Sequence, residues 1–232
     1  WKDIMISGFV LEKPGEKISK SKNNAASSPM QLIETHSADC IRYWTAGARL
    51  GTDTFFSEEE LKVSKRFLNK LYNAAKFAGM HLEDYRPDCG ETVRLLPPDL
   101  WILERVKEAS EEAAAFLEEY ETGLARKKVD ELFSEDFCDY YIEIVKERLY
   151  QPEKHGEAER RGAQHALYHS LLGILKLYAV YIPHMTEYIY QSCFRGFEGA
   201  VSIHQLLWQQ EKADELLLEF GGHLKETIGR VR

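Results

Sequence analysis

The clearest pattern in the chain lies at residues 57–82, where Leu61, Leu68, Leu71, Ala75 and Ala78, with Ser64, keep the three-and-four spacing of one buried helix face. Ser57 followed by Glu58, Glu59 and Glu60 supplies a cap, a glutamate at the third position and an acidic first turn, so a helix should start there. Helical periodicity returns at 98–121, at 123–150 and at 157–194, after a Pro-, Gly- and Asp-rich break at 83–98. Pro183 lacks an N–H and should kink or split the last of these. A final amphipathic stretch covers 212–232, and the apolar run 201–208 before it suggests an extended return across the helices.

The first 56 residues have another texture. Apolar residues 4–11 predict a short strand or hairpin, followed by a Pro14-Gly15 turn and a loop rich in lysine and serine. Pro29 then opens a short helix to 34, with Ser27 or Ser28 as cap, and a second helix should run over 37–49 and stop at Gly51. The fold class that follows is mainly α: an antiparallel helical bundle with a small mixed N-terminal segment. The chain opens on Trp1 rather than methionine, and its last helix has no stop signal, so an excised piece of a longer protein is expected.

Composition narrows the functions available. At 232 residues and 44% hydrophobic the chain can bury a core, yet no run is long and apolar enough for a membrane span, and a cytoplasmic address follows by default. Cys40, Cys89, Cys138 and Cys193 lie far apart with no zinc-type spacing, which reads as reduced thiols and no metal. The net charge of -8 is uneven: residues 1–80 carry 12 Lys+Arg against 9 Asp+Glu, and residues 81–232 carry 18 against 29. Basic character is thus concentrated where the lysine-serine loop and the 57–82 helix lie.

That loop reads K-I-S-K-S-K-N-N from Lys17. Mobile ammonium groups three residues apart, interleaved with hydroxyls, suit a polyanion such as a triphosphate, although a solvated basic loop has the same composition. On the 57–82 helix, Arg66, Lys70, Asn73 and Phe77 fall within about 60° of one another, opposite the apolar stripe. An aromatic ring on a basic, amide-bearing face can stack an unpaired base and read its edge. The alternative is that the 83–98 connection covers Phe77 and that the charges are merely solvated.

Other groups promise less. His165 and His169 have metal-ligand spacing but no third ligand in sequence. Asp136, Asp139 and Glu143, interleaved with Phe133, Phe137, Tyr140 and Tyr141, read as the polar side and interior anchors of a bundle helix. Arg126, Lys127 and Lys128 could touch RNA phosphate, but a solvated charge run fits them better.

The order of motifs resembles the class I aminoacyl-tRNA synthetases of the valine, isoleucine and leucine group. The loop from Lys17 is similar to their K-M-S-K-S-x-G-N, with Asn23 where they have glycine, and Ser37-Ala38-Asp39 stands where they have G-A-D. R-F-L-N-K-L-Y-N-A-A-K-F from Arg66, F-C-D-Y-Y-I-E from Phe137, I-P-H-M-T-E-Y-I-Y-Q from Ile182 and S-I-H from Ser202 resemble segments of that group's anticodon-binding domain. The likeness covers nearly the whole chain and is strongest to the group's valine branch.

The resemblance implies that 1–56 ends a catalytic region, that 57–200 is an anticodon-binding bundle, and that 201–232 is a C-terminal extension. It implies Lys17 and Lys20 on the phosphates of the substrate ATP, with Ser19 and Ser21 supporting the loop. It implies Arg66, Lys70, Asn73 and Phe77 on tRNA, of the valine type first, with no DNA and no resident cofactor. The chain has no H-I-G-H-like motif or G-x-G-x-x-G, so an N-terminal catalytic domain is the further partner and the chain alone is expected to be inactive. Isoleucine- or leucine-type recognition, and a synthetase-derived helical module that binds protein instead of RNA, stay open as alternatives.

Overall fold

The computed structural model describes residues 2–18, 28–87, 93–208 and 211–231. Near the N-terminus, β1 (Val10–Lys13) lies between β2 (Glu16–Lys17), antiparallel to it, and β3 (Thr54–Phe55), parallel to it. The strand expected over 4–11 is regular only from Val10. Ahead of it the Phe9 N–H goes to the Asp53 carboxylate at 2.8 Å and the Ile6 carbonyl accepts from Gly51 at 3.1 Å, so a turn meets this stretch where a strand partner would. Helices α1 (Pro29–His36) and α2 (Ala38–Thr45) follow. Ser28 and Gln31 cap α1 reciprocally, and Ser37, at φ 78°, separates the two helices.

Helix α2 is held within the helical core. Cys40 and Tyr43 are buried, Asp39 accepts the backbone N–H groups of His184 and Met185, Arg42 donates to the Tyr181 and Val180 carbonyls, and Arg126 donates to the Tyr43 carbonyl. Helix α3 (Glu58–His81) buries the expected stripe, Leu61, Ser64, Leu68, Leu71, Ala75 and Ala78, together with Ala74. Ser57 makes no side-chain cap bond there. The Glu60 carboxylate that would complete a capping box accepts from the Trp44 indole instead.

The rest of the bundle comprises α4 (Pro97–Glu118), α5 (Thr122–Glu131), α6 (Ile142–Tyr150), α7 (Pro152–His155), α8 (Glu157–Tyr178), α9 (Pro183–Cys193), α10 (Arg195–Glu198) and α11 (Glu215–Val231). Two expected long helices are divided. Residues 157–194 break ahead of Pro183, as its missing N–H requires. Residues 123–150 contain π-helical turns from Leu132 to Tyr141. Phe133, Phe137 and Tyr141, each four residues on, stack at 6.4 and 6.3 Å and are fully buried, so the widened turns line three large rings up along the core. The expected extended return over 201–208 contains one turn of 3₁₀ helix, Ile203–Gln205.

Two buried carboxylates brace this core. Asp99 accepts from both terminal nitrogens of Arg148 at 2.8 and 2.6 Å, from the Tyr141 hydroxyl at 2.8 Å and from the Leu96 N–H at 2.8 Å. Asp136 accepts from Arg105 at 2.7 Å and from Lys225 of α11 at 2.6 Å. Helix α11 also presses a glycine on the core: a Cβ at Gly221 would fall 1.9 Å from the Trp101 indole nitrogen.

Candidate nucleic-acid interface

The π-helical turns and the start of α6 lie alongside α3, and between them runs an open groove of about 500 Å³. Arg66, Asn69, Lys70, Asn73 and Phe77 of α3 form one wall, and Cys138, Ile142 and Lys146 form the other. All four α3 residues singled out from sequence therefore share one surface. The opposite wall was not singled out. Its signal was the F-C-D-Y-Y-I-E segment, whose wide turns bring Cys138 and Ile142 level with α3.

Each wall residue contributes a different chemistry. Arg66, Asn69 and Asn73 are exposed and make no hydrogen bond or ion pair among the described residues, so their donors and acceptors stand free. Lys70 is tied down: its ammonium lies 3.3 Å from Asp139 Oδ1 and 3.3 Å from the Ser134 carbonyl. Lys146 pairs with Glu143 one turn earlier. Burial pushes the Cys138 thiol up to about 12, which leaves it a neutral, apolar part of the groove at ordinary pH.

Phe77 is half-buried at the end of the groove, its ring 4.7 Å from that of His81 and 6.4 Å from that of Tyr150. Cover on this ring comes from α6, through Tyr150. Tyr150 is itself 59% exposed, so the cluster presents rings to solvent. Burial, helped by the Arg160 charge, holds His81 below the usual imidazole range, and it is neutral at pH 7.

The charges on the α3 wall of the groove are one-sided. From 61 to 82 the chain has Lys62, Lys65, Arg66, Lys70 and Lys76 and no acidic residue, although the whole chain carries -8.

A family model described as the anticodon-binding domain of tRNA ligase matches residues 99–232, more than half of the chain. The chain belongs to the tRNA-ligase anticodon-binding family. A second model, tRNA synthetases class I (I, L, M and V), matches residues 1–57. Helix α3 lies between the two matches, but whole-length relatives span it. The valine–tRNA ligase of Anaplasma marginale is 40% identical over all of this chain, which covers 27% of that protein, and the valine–tRNA ligase of Thermococcus kodakarensis is 35% identical over all of it, which covers 26%. The chain thus spans about a quarter of the length of these relatives. Among solved structures, LeuRS of Agrobacterium radiobacter K84, in its ternary complex with tRNA and LeuAMS, superposes with a TM-score of 0.63 at 16% identity over 91% of this chain and 24% of that one. The mainly α fold is that of the synthetase bundle.

Lys17 ends β2 with its ammonium 4.7 Å over the Phe9 ring, while Ser19, Lys20 and Ser21 lie outside the described residues. The His165 ring meets the Tyr85 hydroxyl at 3.0 Å and the His169 ring at 4.3 Å, and no group of three potential metal ligands occurs among the described residues. Arg126 stacks on Tyr43 inside the bundle, whereas Lys127 and Lys128 pair with Glu131 and Glu112. Of the described helices, none is long and apolar enough to cross a membrane.

Proposed function

We propose that the α3 groove recognises the anticodon stem and loop of a tRNA of the valine type, as part of a ligase that joins valine to that tRNA at the expense of ATP. The observation that carries this reading is the set of free donors and acceptors on Arg66, Asn69 and Asn73 beside the Phe77 ring, on a helix with five cations and no acid between 61 and 82. Guanidinium and amide groups without partners can read base edges, and an exposed ring cluster can stack an unstacked base. The valine assignment is supported by the relatives, which are valine–tRNA ligases along the whole chain. Within the larger enzyme, Lys17 and Lys20 would stabilise the phosphates of ATP as pyrophosphate leaves, with Ser19 and Ser21 holding the loop.

The test is a titration of the chain against tRNA transcripts that differ only in anticodon, valine type against isoleucine type, at low and moderate salt. A preference for the valine anticodon that survives the added salt is expected. Equal binding that disappears with salt would reduce the site to phosphate attraction. No binding at low salt would favour a helical protein-interaction module.

A further inference from the structure

Helix α3 has a second flank. On the side away from the first groove, Leu68 and Tyr72 face Ala38 of α2 and His184, Met185 and Tyr188 of α9 across an open, mostly apolar cleft of about 570 Å³. Tyr72 and Tyr188 are 42% and 59% exposed, their ring centroids are 6.5 Å apart, and the planes are inclined by 37°. Neither hydroxyl is hydrogen-bonded among the described residues. Two large tyrosine rings thus stand in solvent side by side at the rim of an apolar cleft, where a flat apolar ligand could lie against both.

The ridge between the two flanks indicates what would fill the cleft. At 100° per residue Lys65, Asn69, Tyr72 and Lys76 lie within about 60° of one another along the crest of α3. Lys65 and Lys76 are exposed and form no ion pair among the described residues. The carboxylates near the cleft are occupied internally: Asp39 by the His184 and Met185 N–H groups, and Glu187 by the Ile203 N–H, the Ser202 hydroxyl and the Gln191 amide. A cleft with an aromatic rim, free cations beside it and its acids turned inward is complementary to a planar base on a phosphate strand.

We propose that the Tyr72–Tyr188 cleft receives a second unpaired base of the RNA whose loop occupies the first groove, so that the strand crosses α3 with its phosphates on Lys65 and Lys76. This rests on the anticodon-loop reading of the first groove, from which the cleft is separated by one helix width, about 10 Å.

The experiment is a fluorescence-anisotropy titration of a valine-type tRNA transcript with the full chain, comparing Tyr72→Leu, Tyr188→Leu, Tyr72→Phe and Phe77→Ala across a salt series. Both leucine variants should bind about tenfold more weakly with the salt slope unchanged, and Tyr72→Phe should bind like the parent. Lys65→Ala and Lys76→Ala should each lower the salt slope by about one. Transcripts carrying 4-thiouridine in the loop should cross-link to peptides containing Tyr72 or Tyr188, a reading that does not depend on the variants folding. If the leucine variants bind normally and no such cross-link forms while Phe77→Ala weakens binding, the second base site is wrong and the first groove stands. If neither the leucine variants nor Phe77→Ala changes binding, both fall.

Discussion

The interior around Asp99 and the groove around Asn73 are made of the same kinds of group and work in opposite ways. In the interior, Asp99 has four donors on it and Arg148 has both terminal nitrogens engaged, and the whole cluster is buried. In the groove, Arg66, Asn69 and Asn73 have no such partners among the described residues. A guanidinium fixed on a buried carboxylate joins α4 to α6, with one further bond to the Glu159 carbonyl, and is closed to any ligand from outside. One left in solvent on a stretch of helix without acids, 61–81, is available to a phosphate or a base edge. On the proposed function, stability and recognition belong to separate polar clusters, and each can be attacked without the other.

The largest effect should come from the interior. Arg148→Ala leaves the Asp99 carboxylate buried without its cation, and a loss of about 3–5 kcal/mol is expected, read as a fall of roughly 10 °C in Tm. At a temperature where the variant is folded, its RNA affinity should match the parent's; a loss there as large as that of a groove variant would break the division. Next in size, Phe77→Ala should weaken binding of the valine-type transcript by about 1–3 kcal/mol while unfolding by denaturant shifts less than for Arg148→Ala, because the ring is only half-buried.

The two clusters were unequally legible in the sequence. The groove's α3 wall could be read because α3 is a long helix with a clean apolar stripe, which fixes the opposite face by angle alone. The far wall could not. Cys138 and Lys146 come level with α3 only through the π-helical turns, and the 3.6-residue period expected over 123–150 conceals them. The interior cluster was invisible for a different reason: Asp99 and Arg148 are 49 residues apart, and nothing in local pattern says that a charged residue at the third position of a helix will be covered completely. Similarly, the Ser57 cap follows from propensity, and a tertiary contact, Trp44 on Glu60, overrode it.

A smaller effect would sharpen the contrast inside the groove itself. Lys70 shares the α3 wall of the groove with Arg66, yet its ammonium is held by Asp139 and the Ser134 carbonyl. Arg66→Ala should lower the salt slope of RNA binding by about one, and Lys70→Ala by less. Asp139→Asn removes the competing carboxylate, so RNA should bind severalfold more tightly at low salt. Unchanged affinity for that variant would mean that Lys70 serves only to fasten α3 to the π-helical turns, and would move it from the groove's chemistry to the interior's.

The smallest effect lies in pH and again separates inside from outside. His81, beside Phe77, and His165, against Tyr85, are both held below the ordinary imidazole value of 6.5, chiefly by burial. A histidine with a depressed value in the fold takes up its proton more readily once unfolded, so below pH 6.5 the unfolded chain binds more protons and stability falls with pH until the folded groups protonate as well. Well above 6.5, where both states are neutral, these two groups contribute almost no slope. The carboxylates with lowered values, Asp84, Glu59 and Glu187, titrate from their ordinary 3.8 to 4.5 downward, and Asp130, held above its ordinary value chiefly by burial, favours the fold as pH falls, so a decline between pH 7 and 5 belongs to the histidines. Denaturant midpoints should therefore be flat from pH 8 to 7 and decline from 6.5 to 5.5. His81→Phe should reduce that decline, and it should leave salt-dependent RNA binding at pH 7 unaltered because His81 is uncharged there. A decline that persists at full size in both His81→Phe and His165→Phe would remove the buried histidines as its cause.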